Sequence, residues 1–299
     1  MLKYRVGIGL LALFTLLASS IQTTFALESE SIYLTHEDRV FQIRVLNRET
    51  GKKSSIGSGF IIGDGFQVAT NFHVISQIVL EPERFYISYL RKDGREGELE
   101  LIALDVAHDL ALLSSEQLLG SAMNTSELPP KGAPVFAMGN PLDLGLSIAV
   151  GTNGGILNQT DGSRILFSGS LNPGMSGGPT LNEAGDVIGI NVATARNNIS
   201  FIVPSRFLND LVKSRIDSPM PANPDWKAEV TRQMLDYERG YIRDLLAQDW
   251  PAMPLRQLSV PGAVSPTVRC WDSSNKLKAD ALYKRFQIRC ANQNHVYLD

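Results

Sequence analysis

Eight residues, Asn172-Pro173-Gly174-Met175-Ser176-Gly177-Gly178-Pro179, hold the clearest chemistry in the chain. A serine set between glycines can present its hydroxyl at a tight, exposed turn. The backbone N–H groups of Gly174 and Ser176 can then point into one small hole. Acyl transfer needs that pairing: a nucleophile, with hydrogen-bond donors where an oxyanion forms. Glycine serves where backbone must come close to a substrate at angles a β-carbon forbids. A Gly/Ser/Pro cluster is also how an ordinary surface turn reads, so the weight falls on the rest of the chain.

A serine hydroxyl is a poor nucleophile at neutral pH and needs a base held in the right tautomer. The histidines are His36, His73, His108 and His295. His73 lies in Val68-Ala69-Thr70-Asn71-Phe72-His73-Val74-Ile75, which reads as a strand giving way to a turn. From a strand end a barrel can aim a side chain into a cleft. Asp109 lies in Ala107-His108-Asp109-Leu110-Ala111-Leu112-Leu113 and enters an apolar strand. A carboxylate there is partly buried and must find a donor, such as an imidazole N–H. Asp105 is the rival acid and reads as solvated. In an extended segment His108 points the opposite way from Asp109.

These side chains need elements to hold them. Apolar and polar residues alternate over 40–46, with Phe41, Ile43 and Val45 on one face and Gln42 and Arg44 on the other, as in a half-buried strand. Further strands are predicted over 54–62, 66–70, 85–90, 98–104 and 110–113. After a polar link over 116–131, a second series covers 135–138, 147–150, 165–168, 187–192 and 201–203. Short strands at this density, with 25 glycines and 15 prolines to turn them, predict a sandwich or barrel. Pro204-Ser205 opens a helix with Phe207, Leu208, Leu211 and Val212 on one face. A linker over 218–224 follows, and Asn223-Pro224 makes a good helix start. Trp226, Val230, Met234, Tyr237, Tyr241 and Leu245 then recur at helical spacing and predict a helix docked on a core. Pro251, Pro254 and Pro261 end it, and 267–271 and 285–291 read as two strands.

The 299 residues, 43% hydrophobic and 20% charged, suit one large domain or two modest ones. A net charge of −3 without a basic stripe speaks against a nucleic-acid partner. Lys3 and Arg5 precede an apolar run over 6–17, and Thr24-Phe25-Ala26 offers small residues where a signal peptidase cuts. Residues 1–26 therefore read as a signal peptide of an exported, periplasmic or secreted protein, with no stable membrane insertion after its removal. An uncleaved anchor is the alternative, for which the run is short. Cys270 and Cys290 most simply form one disulfide in an exported protein, two free buried thiols being the alternative. The loop so closed is about 20 residues, worth on the order of 3 kcal/mol. No metal site and no cofactor is predicted.

With these residues in view, the chain resembles the trypsin/chymotrypsin-like serine peptidases, and within them the bacterial HtrA/Deg type. Three elements carry the likeness: Gly57-Ser58-Gly59-Phe60-Ile61-Ile62 leading to Thr70-Asn71-Phe72-His73-Val74; Asp109-Leu110-Ala111-Leu112-Leu113; and the Ser176 segment. Gly139-Asn140-Pro141 and Asp186-Val187-Ile188-Gly189-Ile190-Asn191 are secondary matches. The likeness covers about residues 36–215. It implies an all-β fold of two antiparallel six-stranded barrels, about 36–115 and 131–204, with the active site in the cleft between them and a helix after. Residues 225–299 remain as a helix with a small disulfide-stapled extension of no recognised role. They lack the glycine-rich carboxylate-binding loop of the PDZ domains with which HtrA proteins usually end.

The resemblance implies that Ser176 is the nucleophile, His73 the general base and then acid, and Asp109 the residue that orients His73. The amides of Gly174 and Ser176 form the oxyanion hole, and proteins or peptides are hydrolysed through an acyl-enzyme. One departure stands out: Met175 occupies the place where digestive trypsins carry the aspartate of their zymogen switch, so the oxyanion loop must be ordered some other way. Ser170 stands at the pocket floor with Leu171 beside it, and Val192 to Ala195 would form the wall. A neutral pocket lined by Leu171, Thr194 and Ala195 implies an uncharged, small to medium side chain before the scissile bond. A chaperone-like or partner-binding protein on the same scaffold, with a latent site, is the competing reading. An α/β-hydrolase is not, because those enzymes run serine, acid, histidine along the chain.

Overall fold

Twelve short strands close into two antiparallel barrels, as the resemblance implies. The first contains β1 (Val40–Asn47), β2 (Lys53–Ile62), β3 (Gln67–Thr70), β4 (Phe85–Leu90), β5 (Glu96–Asp105) and β6 (Leu110–Ser114), closed in the order β1-β2-β3-β6-β5-β4. The second contains β7 (Pro134–Gly139), β8 (Ser147–Ile156), β9 (Ile165–Phe167), β10 (Pro179–Leu181), β11 (Val187–Val192) and β12 (Ser200–Pro204), in the order β10-β11-β12-β9-β8-β7. The computed structural model describes residues 28–157, 164–192, 200–221, 223–255, 257–262, 268–272 and 287–292. The signal segment predicted over 1–26, and Thr194 and Ala195 of the predicted pocket, lie outside them.

Each barrel is filled by its inward side chains. Phe41, Ile43, Val68, Ile75, Leu104 and Leu113 pack inside the first; Val135, Ile165, Phe167, Ile188 and Ile202 pack inside the second. A further core, including Val40, Phe60, Leu110, Leu112, Phe136, Met138 and Ile190, draws on strands of both barrels. The seam between the barrels is thus apolar, and it fixes what each barrel presents at the cleft.

Two local readings need correction. Gln42 and Arg44 are not on a solvent face; β1 is buried nearly throughout. Gln42 Nε2 donates to Asp143 from the second barrel at 2.8 Å, and Arg44 donates to Ser88 Oγ and Glu96. Alternation reports only the barrel's interior; on the other face Gln42 meets the second barrel and Arg44 meets strands of its own. Also, His73 does not sit in a turn. After a helical segment α1 (28–36) and the first strands, residues Phe72–Leu80 form a helix, α2. Val74, Ile75, Ile78 and Val79 are β-branched and weak helix formers. Burial of Phe72, Val74, Ile75 and Val79 against the first barrel outweighs that preference.

Helix α3 (Ser205–Asp217) follows β12, as predicted, and buries Leu208 and Leu211 against the inter-barrel core. Helix α4 (Trp226–Leu246) is the second predicted helix, but its cap is Asp225, whose carboxylate accepts from Ala228 N, and not Asn223. Pro224 therefore precedes the helix. Beyond it, β13 (Ala252–Leu255) and β14 (Leu258–Pro261) form a hairpin that the prolines concealed; in a two-stranded sheet a proline can face its missing N–H outward. Last, β15 (Val268–Asp272) pairs with β16 (Ile288–Asn292), with Cys270 directly opposite Cys290 and joined to it by the predicted disulfide. Among the described residues no helix is long and apolar enough to cross a membrane.

Candidate active site

Helix α2 begins where β3 ends, and its first turn carries His73. The imidazole is 27% exposed, while the Asp109 carboxylate is 3% exposed beneath it. His73 Nδ1 lies 2.7 Å from Asp109 Oδ2, and His73 N donates to Asp109 Oδ1 at 2.9 Å. An ionised carboxylate only accepts, so the ring nitrogen facing it carries the proton and Nε2 is left as the basic atom. Both carboxylate oxygens are thereby spent on one residue, which fixes the ring's tautomer and its tilt. Asn71 adds a third tie, donating from Nδ2 to Asp109 O at 2.8 Å.

Asp109 stands in the turn that leads into β6, the strand predicted over 110–113. Its amide donates to Val106 O at 3.3 Å, and its φ is 61°. That left-handed angle is rare for a side chain other than glycine, and aspartate is among those that tolerate it. The rival Asp105 is not merely solvated. It accepts from His108 N at 3.1 Å, and its Oδ2 lies 2.7 Å from His108 Nδ1. His108 also stacks on Phe207 of α3, ring centroids 3.8 Å apart. The two Asp–His pairs of this turn are therefore separate, and only Asp109 faces His73.

Ser176 reaches the same place from the second barrel. Its carbonyl accepts from Ser58 N at 2.7 Å. A β-carbon on Gly57 would lie 2.6 Å from Val74 and 3.1 Å from Ser176 O, so the residues following His73 and bearing Ser176 flank one glycine. Gly177, at φ 85°, lies so close to Ser58 O and Thr70 Oγ1 that any side chain there would collide. Before it, Met175 N donates to Asn172 O at 3.0 Å, with proline second and Gly174, at φ 94°, third in the turn. This is the pattern of a type II turn, whose third position demands glycine. The Pro173 carbonyl accepts from Leu142 N at 2.8 Å. In a trans peptide the N–H points opposite to the C=O, so the Gly174 N–H is turned away from the 140–144 loop.

Residues 57–190 match the family described as the trypsin-like peptidase domain. The domain is a trypsin-like serine peptidase domain of the HtrA type. Serine protease HTRA4 of Mus musculus is 30% identical over 218 residues, 67% of this chain and 43% of that protein. A protein named as a probable periplasmic serine endoprotease, DegP-like, from Marinomonas sp. strain MWYL1 is 32% identical over 175 residues, 55% of this chain and 36% of its own. Among solved structures, the serine endoprotease from Yersinia pestis superposes with a TM-score of 0.55 at 25% identity, covering 64% of this chain and 67% of that one. The chain thus spans less than half the length of these curated relatives.

The HtrA-type domain orders its serine turn without an ion pair. Met175 is 1% exposed and packs with Leu171, Ile165 and Ile188 inside the second barrel. Apolar burial, worth about 1.5–3 kcal/mol for such a side chain, anchors the turn where a buried aspartate would need a partner. Three residues that sequence reasoning passed over complete the support. Ser58, fully buried, donates to Gly174 O at 2.8 Å and accepts from Asn140 N at 2.9 Å. Leu142 and Asp143 both hold positive φ, 52° and 62°. Asp143 is bound by Lys53 and by Gln42, which hold its carboxyl below the usual carboxylate range. The Gly139-Asn140-Pro141 match hinted at this loop; nothing in the sequence linked it to Lys53.

Ser58→Ala tests this bridge. It strips partners from two buried backbone groups, so denaturant unfolding should show a loss of roughly 2–4 kcal/mol. An unchanged midpoint would mean that the hydroxyl carries no part of the turn's support.

The predicted pocket residues divide. Leu171 is buried in the second barrel and its amide donates to Ser200 Oγ at 2.9 Å, while Ser170 beside it is exposed. Val192, at the end of β11, is buried in the inter-barrel core. No described residue places a formal charge in the segment 168–172.

Proposed function

We propose that this chain is an exported serine endopeptidase that hydrolyses peptide bonds through an acyl-enzyme, with Ser176 as nucleophile, His73 as general base and acid, and Asp109 as the group that orients His73. The observation that carries the reading is the buried Asp109 carboxylate, both of whose oxygens serve His73, set beside the type II turn of Ser176. In the first step Ser176 Oγ attacks the scissile carbonyl and its proton passes to His73 Nε2. The Gly174 and Ser176 amides receive the oxyanion. The imidazolium then gives the proton to the leaving amine, and a water repeats the sequence to free the acid.

A latent scaffold of chaperone or partner-binding type keeps the same side chains but needs a collapsed oxyanion turn. Gly174 at φ 94° and the Pro173 carbonyl tied back to Leu142 favour the competent form. Export rests on the N-terminal signal pattern and on likeness to the Marinomonas protein named as a probable periplasmic endoprotease. No cofactor enters this chemistry, and protein or peptide substrates are what the neutral cleft suits.

Exposure of the protein to a fluorophosphonate, followed by digestion and mass spectrometry, should find the adduct on Ser176. The same preparation given a peptide library should cut mainly after uncharged, small to medium residues, consistent with Ser170 and Leu171 near the pocket floor. Cutting mainly after Arg or Lys would reject the pocket assignment, and no adduct at all would favour the latent scaffold.

A further inference from the structure

Helix α4 lies outside the matched residues 57–190, yet it touches both elements that carry the His73–Asp109 pair. Trp226, Val230 and Met234 pack on the first barrel's core, to which Phe72, Val74, Ile75 and Val79 of α2 contribute; α4 and α2 lie side by side. Amid this apolar stripe stands a polar residue, Gln233. Its Oε1 accepts from Val106 N at 2.9 Å, and its Nε2 donates to Leu104 O at 2.8 Å and to Glu229 Oε1 at 2.8 Å.

The carbonyl of one strand residue and the amide two positions on face the same edge, and each needs a partner when buried. β4 pairs with β5 only as far as Leu99, so Leu104 and Val106 lie beyond its reach. Gln233 supplies the missing donor and acceptor from one side chain, as a neighbouring strand would. Glu229 faces the amide nitrogen and is itself held by Arg232, so the amide has one sense only. Val106 is also where the Asp109 turn closes, its carbonyl accepting from Asp109 N at 3.3 Å. The amide that Gln233 holds and the carbonyl that closes the turn thus belong to the same residue.

We propose that Gln233 is a positioning residue: through it the C-terminal helix holds the Val106–Asp109 turn, and with it the carboxylate that orients His73. This rests on the endopeptidase reading for its catalytic consequence, but not for the clamp itself. Gln233 adds to the other ties on this turn, Asn71 Nδ2 donating to Asp109 O at 2.8 Å and His108 stacked on Phe207. A carboxylate displaced by about an ångström lets the imidazole tilt, and misplacements of that size can cost up to a hundredfold in rate.

The test uses the full chain carrying Gln233→Met, which keeps the side chain's length and removes all three of its hydrogen bonds, with Gln233→Glu as a second variant and Leu235→Ala, on the exposed side of α4, as control. Amide hydrogen exchange should quicken about tenfold for residues 104–109 and stay unchanged in β1 and β2. Acylation by a fluorophosphonate should slow about tenfold, and on a peptide kcat should fall with KM unchanged. Gln233→Glu should lose at least as much, since it sets an oxygen against Leu104 O and Glu229. In an Asp109→Asn background Gln233→Met should cost nothing further. Exchange that quickens evenly across the first barrel, or that stays unchanged at 104–109, overturns the proposal, as does a full additional loss in the Asp109→Asn background. A wild-type protein that takes no probe rejects the endopeptidase reading instead, and the exchange measurement still decides whether Gln233 holds the turn.

Discussion

Replacing Ser176 by alanine will lower turnover of a good peptide substrate by roughly six orders of magnitude, with KM little changed. The loss is large because three effects depend on one oxygen. In the proposed mechanism it forms the covalent bond to the scissile carbon, its proton goes to His73, and its attack creates the oxyanion that the Gly174 and Ser176 amides would receive. The substitution keeps the backbone, so the bonds from Ser58 N to Ser176 O and from Met175 N to Asn172 O persist. Residual hydrolysis, about a thousandfold or more above water, should come from binding and the oxyanion amides alone. Progress curves at enzyme concentrations high enough to see that residue are the measurement. A loss of tenfold or less would place the nucleophile elsewhere and remove the proposed mechanism.

Changing Asp109 to asparagine will cost about ten-thousandfold in kcat while the protein stays folded. The argument lies in donors and acceptors. Asp109 now accepts from His73 N and from the ring Nδ1–H. An amide can keep one of these, but its NH2 then meets the other. If the carbonyl oxygen stays on the backbone N–H, the NH2 faces Nδ1 and demands an acceptor there. The ring proton moves to Nε2, the atom that must take the serine proton, and the base is gone. The buried site, 3% exposed, has no room for water to repair the mismatch. Single-turnover acylation would report this directly, with thermal melting to verify folding. A fall of less than tenfold would show that Asp109 does not set the tautomer. Asp105→Asn is the natural comparison: Asp105 is bound to His108, away from the site, so acylation there should change little.

Much of the scaffold was legible because strand and turn signals are local. The alternation over 40–46, the glycine pairs and the spacing of apolar runs mark eleven of the twelve barrel strands, all but the three-residue β10 after the serine turn, and only closure of both sheets leaves none of those edges bare. The serine turn was legible for a related reason. Pro173 and Gly174 encode their own backbone angles, so the type II turn before Ser176 is written in two adjacent residues.

Other features were invisible in one dimension. The helix bearing His73 is built from residues that prefer strands, and only burial on the first barrel makes it helical. Asp109 stands just before the strand predicted over 110–113, but the left-handed turn it closes there, at φ 61°, has no local signal. Gln42 and Arg44 read as solvent-facing, but Gln42 is bound by Asp143 of the second barrel and Arg44 by Ser88 and Glu96 of neighbouring strands. Gln233 looked like any polar residue on a surface helix, because its partners are 127 and 129 positions away.

The amino-acid order by itself determined most of the strands, both later helices, the cysteine pair and the identity of the residues able to do acyl chemistry, and its resemblance to a known family implied the two-barrel class. Those depend on backbone preferences and on side-chain type, which act within a few positions. Only the folded arrangement decided that Met175 anchors the serine turn by burial, that Ser58 and Leu142 tie that turn to the other strands, and that the C-terminal helix reaches the Asp109 turn. The Ser58 and Gln233 bonds join residues 116 to 129 positions apart, and all of these contacts need neighbours that only the closed barrels bring together.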